Sequence, residues 1–110
     1  MTPQQIYDHV VPRLLKQNAR AVEDGVCFLI TSDGKRCAFG MLLPDDWTAD
    51  NLYKQKISIE KYFENIGVEW QDGNTLESRL YVIHNFSKVE DWPELFRQAA
   101  ADFGLVNIHV

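Results

Sequence analysis

The chain has 110 residues, 45% hydrophobic and 25% charged, the proportions of one globular domain rather than of a disordered tail or a multidomain enzyme. At that size roughly two-thirds of the unfolded chain's surface is buried on folding, so a core can form without a disulfide or metal staple. Eleven basic against 16 acidic side chains leave a net charge of −5, so attraction to phosphate backbones is not built into the composition and nucleic acid is disfavoured as a partner.

Thr2-Pro3-Gln4-Gln5 opens the first helix, with Thr2 as N-cap, Pro3 in the first helical position and Gln5 returning the cap's hydrogen bond. Ile6, Val10 and Leu14 repeat at helical spacing, and Pro12 predicts a kink or two short helices because it removes an amide donor. Arg13, Lys16 and Arg20 form the one basic cluster, and Gly25 closes the segment. A β-hairpin is expected next: residues 26–31 and 36–43 are apolar and Asp33-Gly34 is a two-residue turn signal. In that register Ile30 faces Cys37, Phe28 faces Phe39 and Val26 faces Met41, all six on the core side. Pro44-Asp45-Asp46 ends the second strand, and residues 47–56 read either as a short helix capped by Thr48 or as a loop. Ser58 then caps a helix carrying Ile59, Tyr62, Phe63 and Ile66, stopped at Gly67. Asn74 with Glu77 resembles a capping box before a helix with Leu76, Leu80, Ile83 and His84 on one face. Asp91 with Glu94 repeats the device, and Leu95, Phe96, Ala99, Ala100 and Phe103 form the last stripe before Gly104. The expected architecture is α+β: four or five helices packed around one β-hairpin in a single domain over residues 1–110.

Residues 1–11 lack the continuous apolar core of an export signal, and no stretch approaches the roughly 20 apolar residues of a membrane span. With only two cysteines, these features lead us to expect a cytoplasmic protein. Cys27 and Cys37 do not come within bridging distance in the expected hairpin register, and the scattered His9, His84 and His109 lack metal-ligand spacing. No metal or cofactor is therefore expected. A thiol nucleophile is one candidate chemistry: Cys37 with His84 as base, oriented by Asn85 or Asp91. Against it, Cys37 falls on the expected core face and no motif fixes the geometry. Asp33-Gly34-Lys35-Arg36 lacks the glycine pattern of a phosphate loop and reads as a turn. Trp47, Trp70 and Trp92 all sit beside acids at loop or helix-start positions, and tryptophan is a common binding anchor. With Asp45 and Asp46 they make up the candidate binding residues.

The segment Gly34-Lys35-Arg36-Cys37-Ala38-Phe39-Gly40-Met41-Leu42-Leu43-Pro44-Asp45-Asp46 resembles a group of small uncharacterised proteins from tailed phages and bacterial genomes. Their pattern combines an upstream Cys, a Gly and a basic residue with Cys-Ala-x-Gly-x-Leu-Ile-Pro-Asp, then Ile-His-Asp and a late Trp. Cys27, Cys37, Ala38, Gly40, Leu42, Pro44, Asp45, His84 and Trp92 match, while Asn85 stands in place of the Asp after the histidine. The resemblance implies a mobile-element origin and transfers no established activity. A packing reading accounts for part of the same segment, since small Ala38 and Gly40 let another element approach closely.

The functional expectation is an accessory protein that binds a protein partner, with phage-type inhibition of a host protein or defence system, anti-CRISPR-like, as one form. The alternative is a hydrolase or transferase using Cys37 and His84. A regulator touching DNA through Arg13, Lys16 and Arg20 ranks last, because three cations offer little against a net negative domain.

Overall fold

The structure, a computed structural model, describes residues 1–110. Helix α1 (Pro3–Gln17) begins where its cap residues require. The Thr2 hydroxyl accepts from the Gln5 N–H at 3.1 Å and the Gln5 side chain accepts from the Thr2 N–H at 2.8 Å. Two amide donors are thereby served reciprocally. The helix runs on through Pro12 as one 15-residue element instead of dividing there. Ile6, Val10, Val11 and Leu14 are buried on its inner face, each contributing about 1.5–3 kcal/mol, which together outweighs the roughly 3 kcal/mol cost of an interior proline. Asn18, in the left-handed region at φ 52°, ends the helix by donating its N–H to the Leu14 carbonyl.

The hairpin lies earlier in the chain than the apolar pattern predicts. β1 (Val22–Glu23) pairs antiparallel with β2 (Val26–Cys27), Val22 opposite Cys27 and Glu23 opposite Val26. Asp24 and Gly25 between them have φ of 52° and 77°, the two positive values that a twist-matched two-residue hairpin turn demands. At Asp33-Gly34 only the glycine is at positive φ. That loop closes with the Thr31 N–H on the Lys35 carbonyl at 2.8 Å and the Lys35 N–H on Thr31 Oγ1 at 2.9 Å, leaving a lone bridge between Ile30 and Arg36.

The expected second strand over 36–43 is not formed; the chain turns into a 3₁₀ turn at Gly40–Leu42. The expected alternation fails with it, since Val26 and Phe28 are exposed while Thr31, Ala38 and Gly40 are buried. Two tertiary features override strand propensity. A Cβ on Gly40 would stand 2.0 Å from the Leu29 carbonyl oxygen, so the chains meet more closely than a side chain permits, which is the close approach that the small residue implied. The half-buried Arg36 guanidinium also donates to the carbonyls of Gly40, Leu43, Pro44, Asp45 and Trp47 at 2.7–3.3 Å. It supplies donors to acceptors that a strand would have given to a neighbour.

Residues 47–56 form a loop that opens with one turn, in which Thr48 Oγ1 accepts from the Asn51 N–H and Asn51 Oδ1 from the Thr48 N–H. Helix α2 (Ile59–Ile66) follows with Ser58 Oγ accepting from the Lys61 N–H at 3.1 Å and Gly67 closing at φ 74°. Helix α3 (Leu76–Phe86) is capped by Thr75, one residue later than expected: Thr75 Oγ1 accepts from the Ser78 N–H at 3.2 Å, while the Asn74 N–H goes to the Asp72 carboxylate instead of to Glu77. A 3₁₀ turn (Val89–Asp91) leads into α4 (Trp92–Asp102), where Asp91 is already helical and offers no side-chain cap. Helix α1 packs on α3, on α4 and on the Gly40–Leu42 turn, and α3 packs on α4. The Tyr7 hydroxyl donates across this core to the Phe96 carbonyl at 3.0 Å. The architecture is thus α+β, four α-helices packed around a two-stranded antiparallel hairpin, with a radius of gyration of 13.4 Å. No helix is long and apolar enough to cross a membrane.

Candidate functional site

Cys37 and His84 were the candidate catalytic pair, and both fold into the core. Cys37 opens the turn before Gly40–Leu42: its carbonyl accepts from the Met41 N–H at 2.9 Å and its sulfur accepts from the Gly40 N–H at 3.4 Å. The residue is only 2% exposed, and burial pushes the thiol up to about 11, away from the thiolate that attacks. His84 lies on the inner face of α3. Its Nε2 accepts from the Ala21 N–H at 3.0 Å, its Nδ1–H donates to Asn85 Oδ1, and its ring rests on Trp92 with centroids 5.5 Å apart. Burial, the largest cause, and Arg20 hold its pKa below the ordinary value, against the opposing bond to Asn85. Both ring nitrogens are engaged in the neutral state, with the Ala21 N–H and Asn85 Oδ1 as their partners rather than Cys37. Of the two candidate partners of the imidazole, Asn85 is bonded to it, whereas Asp91 is exposed at the start of α4.

The register argument that separated the two cysteines falls with the hairpin on which it rested. Both are free thiols and line one small cavity of ≈ 110 Å³, together with Leu29, Tyr81 and Asn85. Cys27 is exposed and Cys37 buried, the distribution expected, though reached by different packing.

The five candidate binding residues do not form one surface. Trp92 is fully buried and Trp47 is 6% exposed, packed against Tyr62 in a tilted pair with centroids 5.3 Å apart. Covering the core is what these two indoles do, and the Trp92 Nε1–H finds no partner there. Asp45 and Asp46 are exposed; their backbone carbonyls are tied to Arg36 and Asn51. The Asp33-Gly34-Lys35-Arg36 turn offers no cation to a phosphate. Lys35 Nζ donates to the Asp33 carboxylate at 2.7 Å, and this bond, with that from the Thr31 hydroxyl, holds the Asp33 carboxyl at about 2. Arg13, Lys16 and Arg20 are exposed, with Arg13 on the His9 carbonyl and Arg20 on the Asn85 carbonyl.

Trp70 alone among the tryptophans is substantially exposed, at 42%. It stands on the rim of a groove of ≈ 450 Å³ lined mainly by Leu29, Phe39, Tyr53, Phe63, Trp70 and Tyr81. The floor belongs to the core: Phe39 contacts Phe63 and Tyr81 with centroids 5.7 Å and 5.4 Å apart. The rim does not, for Tyr53 is 81% exposed. The groove therefore joins a packed aromatic floor to rim aromatics that stand in water. Chain reading placed Phe39 and Phe63 in the core without seeing the groove above them. Trp70, already among the candidate binding residues, is the rim residue to which the sequence pointed; Tyr53, beside Leu52 in an otherwise polar stretch, carried a weaker signal.

Comparison with family models, with curated proteins and with solved structures finds no match to this chain.

Proposed function

We propose that this protein acts by binding another protein through the groove between α2, α3 and the loop bearing Tyr53. The observation that carries the reading is the combination of a packed aromatic floor with a rim left in solvent by Tyr53 and Trp70. Catalysis by Cys37 and His84 is the weaker reading, because the thiol is buried and its pKa raised while both imidazole nitrogens are bonded. The resemblance of residues 34–46 to the phage and bacterial group directs the search for the partner to host cytoplasmic proteins, defence components among them.

The experiment is parallel affinity capture from host lysate with the tagged wild type and with the Tyr53→Ala and Trp70→Ala variants. A stoichiometric partner retained by the wild type and lost by both variants supports the reading. A partner held equally by all three places the binding surface elsewhere and refutes it.

A further inference from the structure

The aromatic groove does not end at Trp70. Glu60 and Trp70 also line an adjoining notch of ≈ 350 Å³, whose other walls include Glu64 and Glu69. No basic side chain lines either compartment. Two positive groups lie beside the notch: Lys61, paired with Glu64 at 3.3 Å, and the Met1 ammonium, which donates to the Ile66 carbonyl. Glu60 and Glu69 have no ion-pair partner. Glu77, buried in the first turn of α3, accepts from the Glu69 N–H at 2.9 Å and so fixes the backbone that carries Glu69. Residues 58–78 hold five acidic side chains against one lysine, so the field at this end of the groove is negative.

We infer that the groove and notch together take a segment of a partner protein in which an apolar side chain is flanked by arginine or lysine. The inference rests on the protein-binding reading and gives that partner its chemistry. An apolar side chain displaces water from the floor formed by Phe39, Phe63 and Tyr81. Ionised carboxylates only accept hydrogen bonds, so the notch selects donors. Trp70, which lines both compartments, brings an indole to the site, the aromatic ring that attracts a guanidinium or ammonium most strongly by cation–π interaction. A phosphate backbone or an anionic lipid surface meets the same carboxylates and is repelled.

The test is selection of a random linear peptide library, displayed on ribosomes, against the full chain. Enriched peptides are then titrated by fluorescence anisotropy against the wild type, Trp70→Ala, Tyr53→Ala and the double variant Glu60→Gln with Glu69→Gln. Circular dichroism verifies that each variant is folded, and Tyr53→Ala, at the most exposed rim position, serves if Trp70→Ala does not fold. The expected peptides pair an apolar residue with arginine or lysine. They lose about 30-fold in affinity on Trp70→Ala, lose roughly 10-fold on the double glutamine substitution, and weaken as salt is raised. Peptides that depend on Tyr53 and Trp70 but are neutral or acidic, or bind the double variant as well as the wild type, overturn the inference and leave the groove reading standing. Failure to enrich any peptide, or affinity indifferent to both rim variants, overturns the groove reading beneath it. Retention of an oligonucleotide or of anionic phosphatidylserine vesicles that depends on Trp70 likewise overturns the inference, by naming another class of partner.

Discussion

Replacing Gly40 by alanine tests how the centre of the molecule is held. An added Cβ would stand 2.0 Å from the Leu29 carbonyl oxygen, 2.9 Å from its carbon and 3.1 Å from Arg36 Cβ. A carbon resting against a carbonyl oxygen needs about 3.3 Å, so one backbone must retreat by more than about 1 Å. The Leu29 carbonyl is not free to do so, because it accepts from the Cys37 N–H at 3.2 Å. Breaking that bond costs about 1 kcal/mol and overpacking the core a further 1–3 kcal/mol, roughly 3 kcal/mol together. For a domain of this size that lowers Tm by roughly 15 °C. Thermal melts by circular dichroism and urea titration read the effect. Gly73 is the control: a Cβ there meets nothing within 4 Å and its φ is not positive, so Gly73→Ala leaves stability unchanged or raises it by about 0.5 kcal/mol. If Gly40→Ala melts within about 3 °C of the wild type, close backbone approach is not what keeps residues 36–43 out of a strand.

Arg36→Met keeps the apolar stem but withdraws the guanidinium from five carbonyls, and an urea titration is expected to read a loss of about 2–3 kcal/mol; a loss under about 0.5 kcal/mol contradicts the organising role. Thiol titration of the native protein with a disulfide reagent is expected to count Cys27 alone, with Cys37 reacting only after unfolding, because it is buried with its thiol at about 11; prompt labelling of a Cys27→Ser variant sinks this. The His84 pKa is lowered on folding from its ordinary 6.5, so at pH below about 6.5 the unfolded chain takes up a proton that the folded chain refuses. Stability is therefore present above that value and lost as pH falls towards the folded pKa, and urea midpoints between about pH 7.5 and about pH 5 fall more steeply for the wild type than for His84→Gln. Parallel pH profiles refute the assignment.

The helices were legible because their signals are local. Thr2 with Gln5 starts α1, and Ser58 and Gly67 start and stop α2, each through groups within a few residues of itself, although α1 stops at Asn18 rather than at the expected Gly25, and the stripe Leu76, Leu80, Ile83 and His84 is buried as its spacing requires. The hairpin was misplaced because two Asp-Gly pairs compete and the longer apolar runs flank the wrong one. Asp24-Gly25 carried the same turn signal as Asp33-Gly34, but its flanking runs are short and largely exposed. Burial of Cys37 and His84 agrees with the core side and the helical stripe on which the sequence places them, whereas burial of Trp47 and Trp92, which removes both from the candidate binding surface, was not legible.

By itself the sequence determined an α+β domain, the start of α1, both ends of α2 and the room for close backbone approach at Gly40. Only tertiary structure decided where Arg36 spends its donors, which nitrogen of His84 is protonated, and that Phe39, Tyr53, Trp70 and Tyr81, distant in the chain, share one groove. Caps and turns are set by bonds between neighbours along the chain. A groove or a five-carbonyl clasp exists only when separate segments meet, and the free energy that brings them together belongs to the packed core rather than to any local run of residues.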